Sequence, residues 1–311
     1  MGKATREAYG EALKEIGAKF TDIIVLDADL SKSTKTNVFA KAFPDRFFNV
    51  GIAEQNLMGT AAGLAAAGKI PFVSTFAMFA AGRGFEQIRN SICYPKLNVK
   101  IAATHAGVTV GEDGASHQAI EDISLMRSIP NMTVIVPADE RETREAVLFA
   151  ARYKGPVYLR LGRSSVPDMF GDGYEFELGK AVELATGRDV TIIATGIMVS
   201  PARRAADELI ANGLSAKVLN VHTIKPIDKE AIIKAAQETG AVVTCEEHSI
   251  IGGLGSAVAE VLVENAPVPM ERVGVLDTFG ESGTPDALLA KYNLTVADIV
   301  QAAKRVISRK K

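Results

Sequence analysis

TVIVPADERETREAVLFAARYKGPVYLRL, residues 133–161, decides the fold. Two short runs rich in β-branched residues, TVIVP (133–137) and VYLRL (157–161), read as strands. Between them Asp139 and Glu142 form a D-x-x-E capping box after Pro137, and Gly155-Pro156 stops the helix they open. A strand, a crossover helix and a second strand make a βαβ unit, which implies parallel pairing.

Outward from this unit the same alternation recurs. IIVLDAD (23–29), PFVSTF (71–76) and VKIAAT (99–104) read as strands of one sheet. The period breaks over 164–179, where SSVPDMFGDGYEFELG collects Pro, Gly and Asp. It restarts with VTIIATG (190–196), a helix opened by Ser200 and Pro201, VLNVHT (218–223), a helix from Asp228, and VVTCEEH (242–248). Thr295 and Asp298 resemble a further capping box before an amphipathic helix with Ile299, Ala302, Ala303 and Val306 on one face. The expectation is an α/β protein of two domains, 1–168 and 179–311 about a linker at 169–178, each a mostly parallel sheet with helices on both faces.

A chain of 311 residues with 47% hydrophobic residues can bury a sizeable core, and a net charge of -2 with basic and acidic residues interspersed gives no sign of a nucleic-acid stripe or a membrane-surface face. The basic tail Arg309-Lys310-Lys311 reads as solvated. Cys93 and Cys245 stand far apart without ligand spacing, which argues against zinc or a disulfide framework and fits a reducing compartment. The N-terminal MGKATREAYGEALKEIG lacks the apolar run of a signal peptide, and Met58 to Ala67 is too short to span a bilayer, so a cytoplasmic protein is expected.

Ligands of open parallel sheets bind beyond the carboxyl ends of the strands, where Asp27, Asp29, Ser74, Thr104 and His105 fall. Asp29 with Ser31 alone would read as the start of a turn. His105 alone would read as structural, but it opens THAGVTVGEDGASH (104–117), with His117 twelve positions on and expected near the start of the next helix. Gly107, Gly111 and Gly114 allow this loop to approach a ligand closely, and Glu112 and Asp113 supply carboxylates. Two imidazoles could then serve proton transfer on a polyhydroxylated carbonyl compound; metal binding is the weaker reading. Glu54 lies in GIAEQN (51–56) and alone would be a first-turn glutamate favoured by the helix dipole. The following Gly59, Gly63 and Ala67 recur at helical spacing and permit close packing, as at a subunit interface.

Taken together, GIAEQN, THAGVTVGEDGASHQ, TFAMF and FEQIRN resemble the carboxyl-terminal half of transketolase. The resemblance runs in order along essentially the whole chain, from ATRE (4–7) to GGLGSAVAE (252–260). It implies a pyrimidine-binding domain of a thiamine-diphosphate enzyme followed by the family's small C-terminal domain. By that resemblance Glu54 would hydrogen-bond N1' of the aminopyrimidine and promote loss of the thiazolium C2 proton, and Phe76 and Phe79 would pack the pyrimidine ring. The cofactor then carries a two-carbon ketol unit from a ketose phosphate to an aldose phosphate. His105 and His117 would contact substrate hydroxyl and carbonyl oxygens, and Asp113 would read sugar stereochemistry. Arg6, Ser33 and Arg163 would bind phosphate, with Lys32 and Arg160 adding positive field. Asp29 would be a cofactor-side or substrate-side carboxylate.

Full-length transketolases carry an amino-terminal domain whose GDG and later Asn hold magnesium and the diphosphate, and the resemblance starts past that domain. The GDG at 171–173 lies in the expected linker without a following Asn and reads as a turn. The expectation is therefore a split transketolase, with magnesium and diphosphate held mainly by an N-terminal-type partner subunit in an α2β2 heterotetramer, acting in carbohydrate metabolism of the pentose phosphate kind. Ala53, Gln55, Gly82, Ala106 and Gly107 depart from residues common in long transketolases, which leaves the donor sugar open. The β subunit of a 2-oxoacid dehydrogenase shares the architecture and a similar GIAEQ glutamate, and a catalytically silent subunit of the same fold stands as a further alternative. Deoxyxylulose-phosphate synthases, with Asp-Arg where Thr104-His105 stands, and a nicotinamide-binding protein, which would need a complete G-x-G-x-x-G turn, are disfavoured.

Overall fold

The computed structural model describes residues 2–310; Met1 and Lys311, the last residue of the basic tail, lie outside the described residues. In chain order the strands are β1 (Ile23–Asp27), β2 (Phe47–Asn49), β3 (Ile70–Phe76), β4 (Lys100–Thr104), β5 (Thr133–Ile135), β6 (Val157–Arg160), β7 (Val182–Ala185), β8 (Val190–Ala194), β9 (Ala216–Asn220), β10 (Thr223–Lys225), β11 (Val242–Ser249) and β12 (Met270–Val275). They form a seven-stranded sheet, β10-β5-β6-β4-β3-β1-β2, and a five-stranded sheet, β12-β11-β8-β9-β7. Pairing is parallel except at β10 against β5 and β7 against β9.

The βαβ unit forms as its sequence dictates: β5 and β6 pair in parallel around the helix Glu140–Arg152. Asp139 caps it, its carboxylate accepting from Glu142 N at 2.8 Å. The reciprocal half of the expected box is displaced by one residue, because Glu142 is wholly buried and its carboxylate takes the N–H of Ala138 at 2.7 Å. Burial pushes the Glu142 carboxyl up to about 7, against the pull of Tyr174, Ala138 and Asn220, which all donate to it. The later box is reciprocal: Thr295 and Asp298 cap each other's backbone N–H at the start of Val296–Ile307.

Alternation along the central strands sends neighbouring side chains into separate cores. Val25, Phe72, Ala102, Ile135, Val157 and Leu159 meet the helices Thr5–Lys19 and Glu140–Arg152. Leu26, Val73, Ile101, Ala103, Val134 and Tyr158 pack with Leu57, Met58 and Ala61 of Glu54–Ala66. Helices therefore cover both faces of the first sheet. β10, from the second half of the sequence, adds an antiparallel edge to it, a pairing that periodicity alone does not show. Cys93 and Cys245 are buried free thiols. Among the described residues no helix is long and apolar enough to cross a membrane.

Candidate active site

The carboxyl ends of β1, β3 and β4 present a continuous row of side chains. At the end of β3, Phe76 stacks on His105 with ring centroids 3.8 Å apart, and Phe79 lies 5.8 Å further along, nearly parallel to Phe76. His117 meets Phe79 edge-on at 5.2 Å. Aromatic groups at these separations prefer such offset and edge arrangements, so the row is a packed platform.

His105 follows β4 directly and holds φ at 57°, a left-handed conformation uncommon for a side-chain-bearing residue. Arg6 Nη1 donates to His105 Nε2 at 3.2 Å and to the Ser33 carbonyl at 3.0 Å. A guanidinium only donates, so Nε2 accepts; Nδ1 then carries the proton and faces Thr104 Oγ1 at 2.9 Å. Burial first, then the charge of Arg6, lowers the His105 pKa to about 3. His105 is thus a neutral imidazole at physiological pH. Ser33 is engaged through its carbonyl, leaving its hydroxyl out of this contact.

The loop after His105 is braced from the second half of the chain. Glu247 of β11 accepts from Thr109 N at 2.6 Å, and Gln118 Nε2 donates to the carbonyls of Val108 (3.1 Å) and Glu281 (2.8 Å). Gly107, at φ 81°, lies directly against the Glu247 carboxyl, where any Cβ would collide. Only glycine meets both conditions. His117 sits in a turn that ends before the helix Asp122–Ser128, not at that helix's start as its spacing suggested. Its Nδ1 faces Ser116 Oγ at 2.9 Å. On the outer side Arg163 donates to the Val110 carbonyl and lies 3.4 Å from Glu112 and 3.9 Å from Asp113.

Arg160 corrects an expectation. It does not add positive field to the site: it is 6% exposed beneath the loop, with Nε 2.9 Å from Asp122 and Nη2 donating to Ala119 and Glu247 carbonyls. A strand-end arginine had two destinations, and the buried Asp122 carboxylate decides between them.

Glu54 opens the helix Glu54–Ala66 and is 5% exposed, although no shift of sequence pattern marks it as buried. Its Oε1 accepts from Arg83 Nη1 at 3.0 Å. Ile52, Ala53, Glu54, Gln55, Asn56 and Arg83 line an open depression of about 480 Å³. Arg83 also lies over the Phe79 ring, its Cζ 4.2 Å from the centroid, and so joins the acid to the aromatic row. Asp29, exposed and at φ 63°, exchanges hydrogen bonds of 3.0 Å with Asn49, which also takes Gly51 N. Asn49 thereby ties the Asp29 turn to the segment that carries Glu54. Asp27 is wholly buried and accepts from Leu30 N, Thr34 and Thr36, a structural anchor for that turn. Sequence reasoning passed over Arg83, Asn49, Gln118 and Glu247; only the adjacency of Arg83 to TFAMF could have drawn attention.

A parallel α/β layer with its polar and aromatic side chains gathered beyond the strand ends, followed by a second such layer, defines a two-domain α/β protein with a carboxylate-and-imidazole site. Residues 1–169 match the transketolase pyrimidine binding domain and residues 179–299 the transketolase C-terminal domain, so the chain belongs to the transketolase family as a C-terminal-type subunit. It is 54% identical over 312 residues to a putative transketolase C-terminal section of Methanocaldococcus jannaschii, covering 99% of this chain and 97% of that one. It is 48% identical to a 6-deoxy-6-sulfo-D-fructose transketolase subunit of a Clostridium species, covering 98% and 95%. Its fold superposes on a split gene transketolase solved as an inactive β4 tetramer with a TM-score of 0.94, at 62% identity and full coverage of both chains.

These domains imply dependence on thiamine diphosphate. The residues present fit its pyrimidine half: a buried carboxylate beside an open depression, flanked by a phenylalanine row. Among the described residues no cluster of three or more His, Cys, Asp or Glu side chains is arranged to hold a metal.

Proposed function

We propose that this chain is the C-terminal subunit of a two-subunit transketolase that moves a two-carbon ketol unit between sugar phosphates. The carrying observation is the continuous row Glu54, Arg83, Phe79, Phe76, His105 and Arg6, which sets a carboxylate for the pyrimidine at one end and a guanidinium for an anion at the other. Thiamine diphosphate, when bound, supplies the carbon nucleophile and electron sink.

The chain's own residues bind, orient and move protons. Glu54, at the open depression, would hydrogen-bond N1' of the pyrimidine. Phe76 and Phe79 pack the ring and exclude water. His105, neutral and with Nε2 accepting, takes a hydrogen bond from a substrate hydroxyl once Arg6 turns to the phosphate, and His117, edge-on to Phe79, offers a second imidazole beside the same row. Arg6 and Arg163 grip the phosphate with Ser33, since a planar fork suits phosphate oxygens. Asp113 selects sugar stereochemistry, and Asp29 lines the cofactor side through Asn49.

Domain limits of 1–168 and 179–311 around a linker at 169–178 accord with this division of labour. The partner would be an N-terminal-type subunit carrying diphosphate and Mg2+, in an α2β2 assembly; the exposed Gly59 and Gly63, with open space on the side where a Cβ would stand, offer a close-packing face for assembly. Relatives of matching length named as subunits, for a sulfo-fructose and for apulose-4-phosphate, support a divided enzyme acting on an anionic sugar. The buried free thiols accord with a reducing cytoplasm.

The test is reconstitution. This chain, a candidate N-terminal-type subunit, thiamine diphosphate and Mg2+ together should transfer two carbons from a ketose phosphate to an aldose phosphate, and neither chain should do so alone. Ketol transfer by this chain unaided would defeat the proposal.

A further inference from the structure

In the row above Arg83 only joins Glu54 to Phe79 and is given no part in binding or chemistry, yet its contacts lie at the centre of the site. Its guanidinium donates to Glu54 Oε1 at 3.0 Å and lies 4.2 Å over the Phe79 ring. A hydrogen-bonded carboxylate and an aromatic face are the two interactions that the bound aminopyrimidine would require from the same two residues. A guanidinium resembles a protonated aminopyrimidine in the relevant respects: planar, cationic, delocalised, and an N–H donor at its edge.

We infer that Arg83 is an internal placeholder for the pyrimidine ring: it neutralises Glu54 and covers Phe79 in the cofactor-free subunit, and it must swing out when the cofactor enters. This rests on the assignment of Glu54 and Phe79 to the pyrimidine.

Two features make the arginine displaceable. Its side chain is 54% exposed while that of Glu54 is 6% exposed, so the base is fixed and its partner has solvent to move into. Among the described residues it makes no other hydrogen bond or ion pair, unlike Arg160, which is held by Asp122 and two carbonyls. The pair is also single-pronged, one nitrogen on one oxygen, which releases more readily than a bidentate fork. Without Arg83, the nearly buried Glu54 carboxylate would face the depression with no counter-ion. With it, the cofactor competes for a site already occupied, and its apparent affinity falls by the fraction of time the arginine is seated.

Calorimetric titration of thiamine diphosphate with Mg2+ into the reconstituted two-subunit complex tests this, using the unaltered chain, Arg83→Met, Glu54→Gln and the double variant. Arg83→Met should bind the cofactor about three- to tenfold more tightly, the range expected for removing one exposed ion pair and one cation–π contact. Glu54→Gln should weaken binding, and the gain from Arg83→Met should shrink in its background. Arg83→Met binding no tighter than the unaltered chain, while Glu54→Gln binds more weakly, would overturn the placeholder alone. Unchanged affinity in Glu54→Gln would overturn the assignment of Glu54 and the placeholder with it. Thermal melting of each variant chain separates these outcomes from misfolding.

Discussion

Arg6 donates to His105 across 3.2 Å, from the first helix of the chain to the end of its β4 strand. The contact fixes the imidazole as an acceptor at Nε2 and, together with burial, holds it neutral.

A pH dependence follows with a definite sign. An unfolded histidine titrates near about 6.5, whereas burial and Arg6 hold His105 near about 3. Between these values the unfolded chain binds a proton that the folded chain refuses. Stability from this group is therefore complete above about 6.5 and is lost as pH falls from there toward 3. Urea midpoints at pH 7.5 and 5.0 should differ less in His105→Gln than in the unaltered chain; an equal difference would place the acid sensitivity elsewhere.

Gly107→Ala should disable the substrate loop. The new methyl meets the Glu247 carboxyl, and φ 81° with ψ -175°, a region nearly restricted to glycine, adds strain of about 1–3 kcal/mol for a side-chain-bearing residue. Melting temperature should drop, and the reconstituted enzyme should lose substrate affinity more than cofactor affinity. A variant that melts and binds like the unaltered chain would show that the brace from Glu247 to Thr109 is dispensable.

Arg6→Met should raise KM for a phosphorylated ketose by about tenfold or more, the scale of losing one charge-assisted phosphate contact. The corresponding ketose without phosphate should be affected far less. Equal effects on both would assign Arg6 to His105 alone.

Asp122→Ala leaves the Arg160 guanidinium, 2.9 Å away and 6% exposed, without its carboxylate. Breaking such a buried pair costs about 3–5 kcal/mol. Chemical denaturation should register that loss; a change below about 1 kcal/mol would mean that solvent reaches the pair.

How much of this was legible in the sequence depends on range. The layer architecture was, because the β-branched runs TVIVP and VYLRL and the cap at Asp139 are local properties, and parallel strands follow from a crossover. The joining of β10 to β5 was not, since an antiparallel edge strand of three residues carries no periodic signal of its own. At the site, the glycines and histidines of THAGVTVGEDGASH announced a loop that approaches something closely. What they approach from behind is Glu247, contributed from far along the chain, and its partner cannot be read from spacing. Arg160 shows the same limit: charge at a strand end is visible, but burial against Asp122 is a tertiary fact. His117 stands farther from a helix than its spacing suggests, because the turn 115–117 delays the helix to Asp122.

The most direct measurement of the central claim is the exchange of the thiamine diphosphate C2 proton for deuterium, followed by NMR after rapid acid quench in the reconstituted complex. With Glu54 intact the exchange should be fast, and Glu54→Gln should slow it by about a hundredfold or more at saturating cofactor, the scale of one lost acid–base group. Equal exchange rates in the two complexes would contradict the role assigned to Glu54.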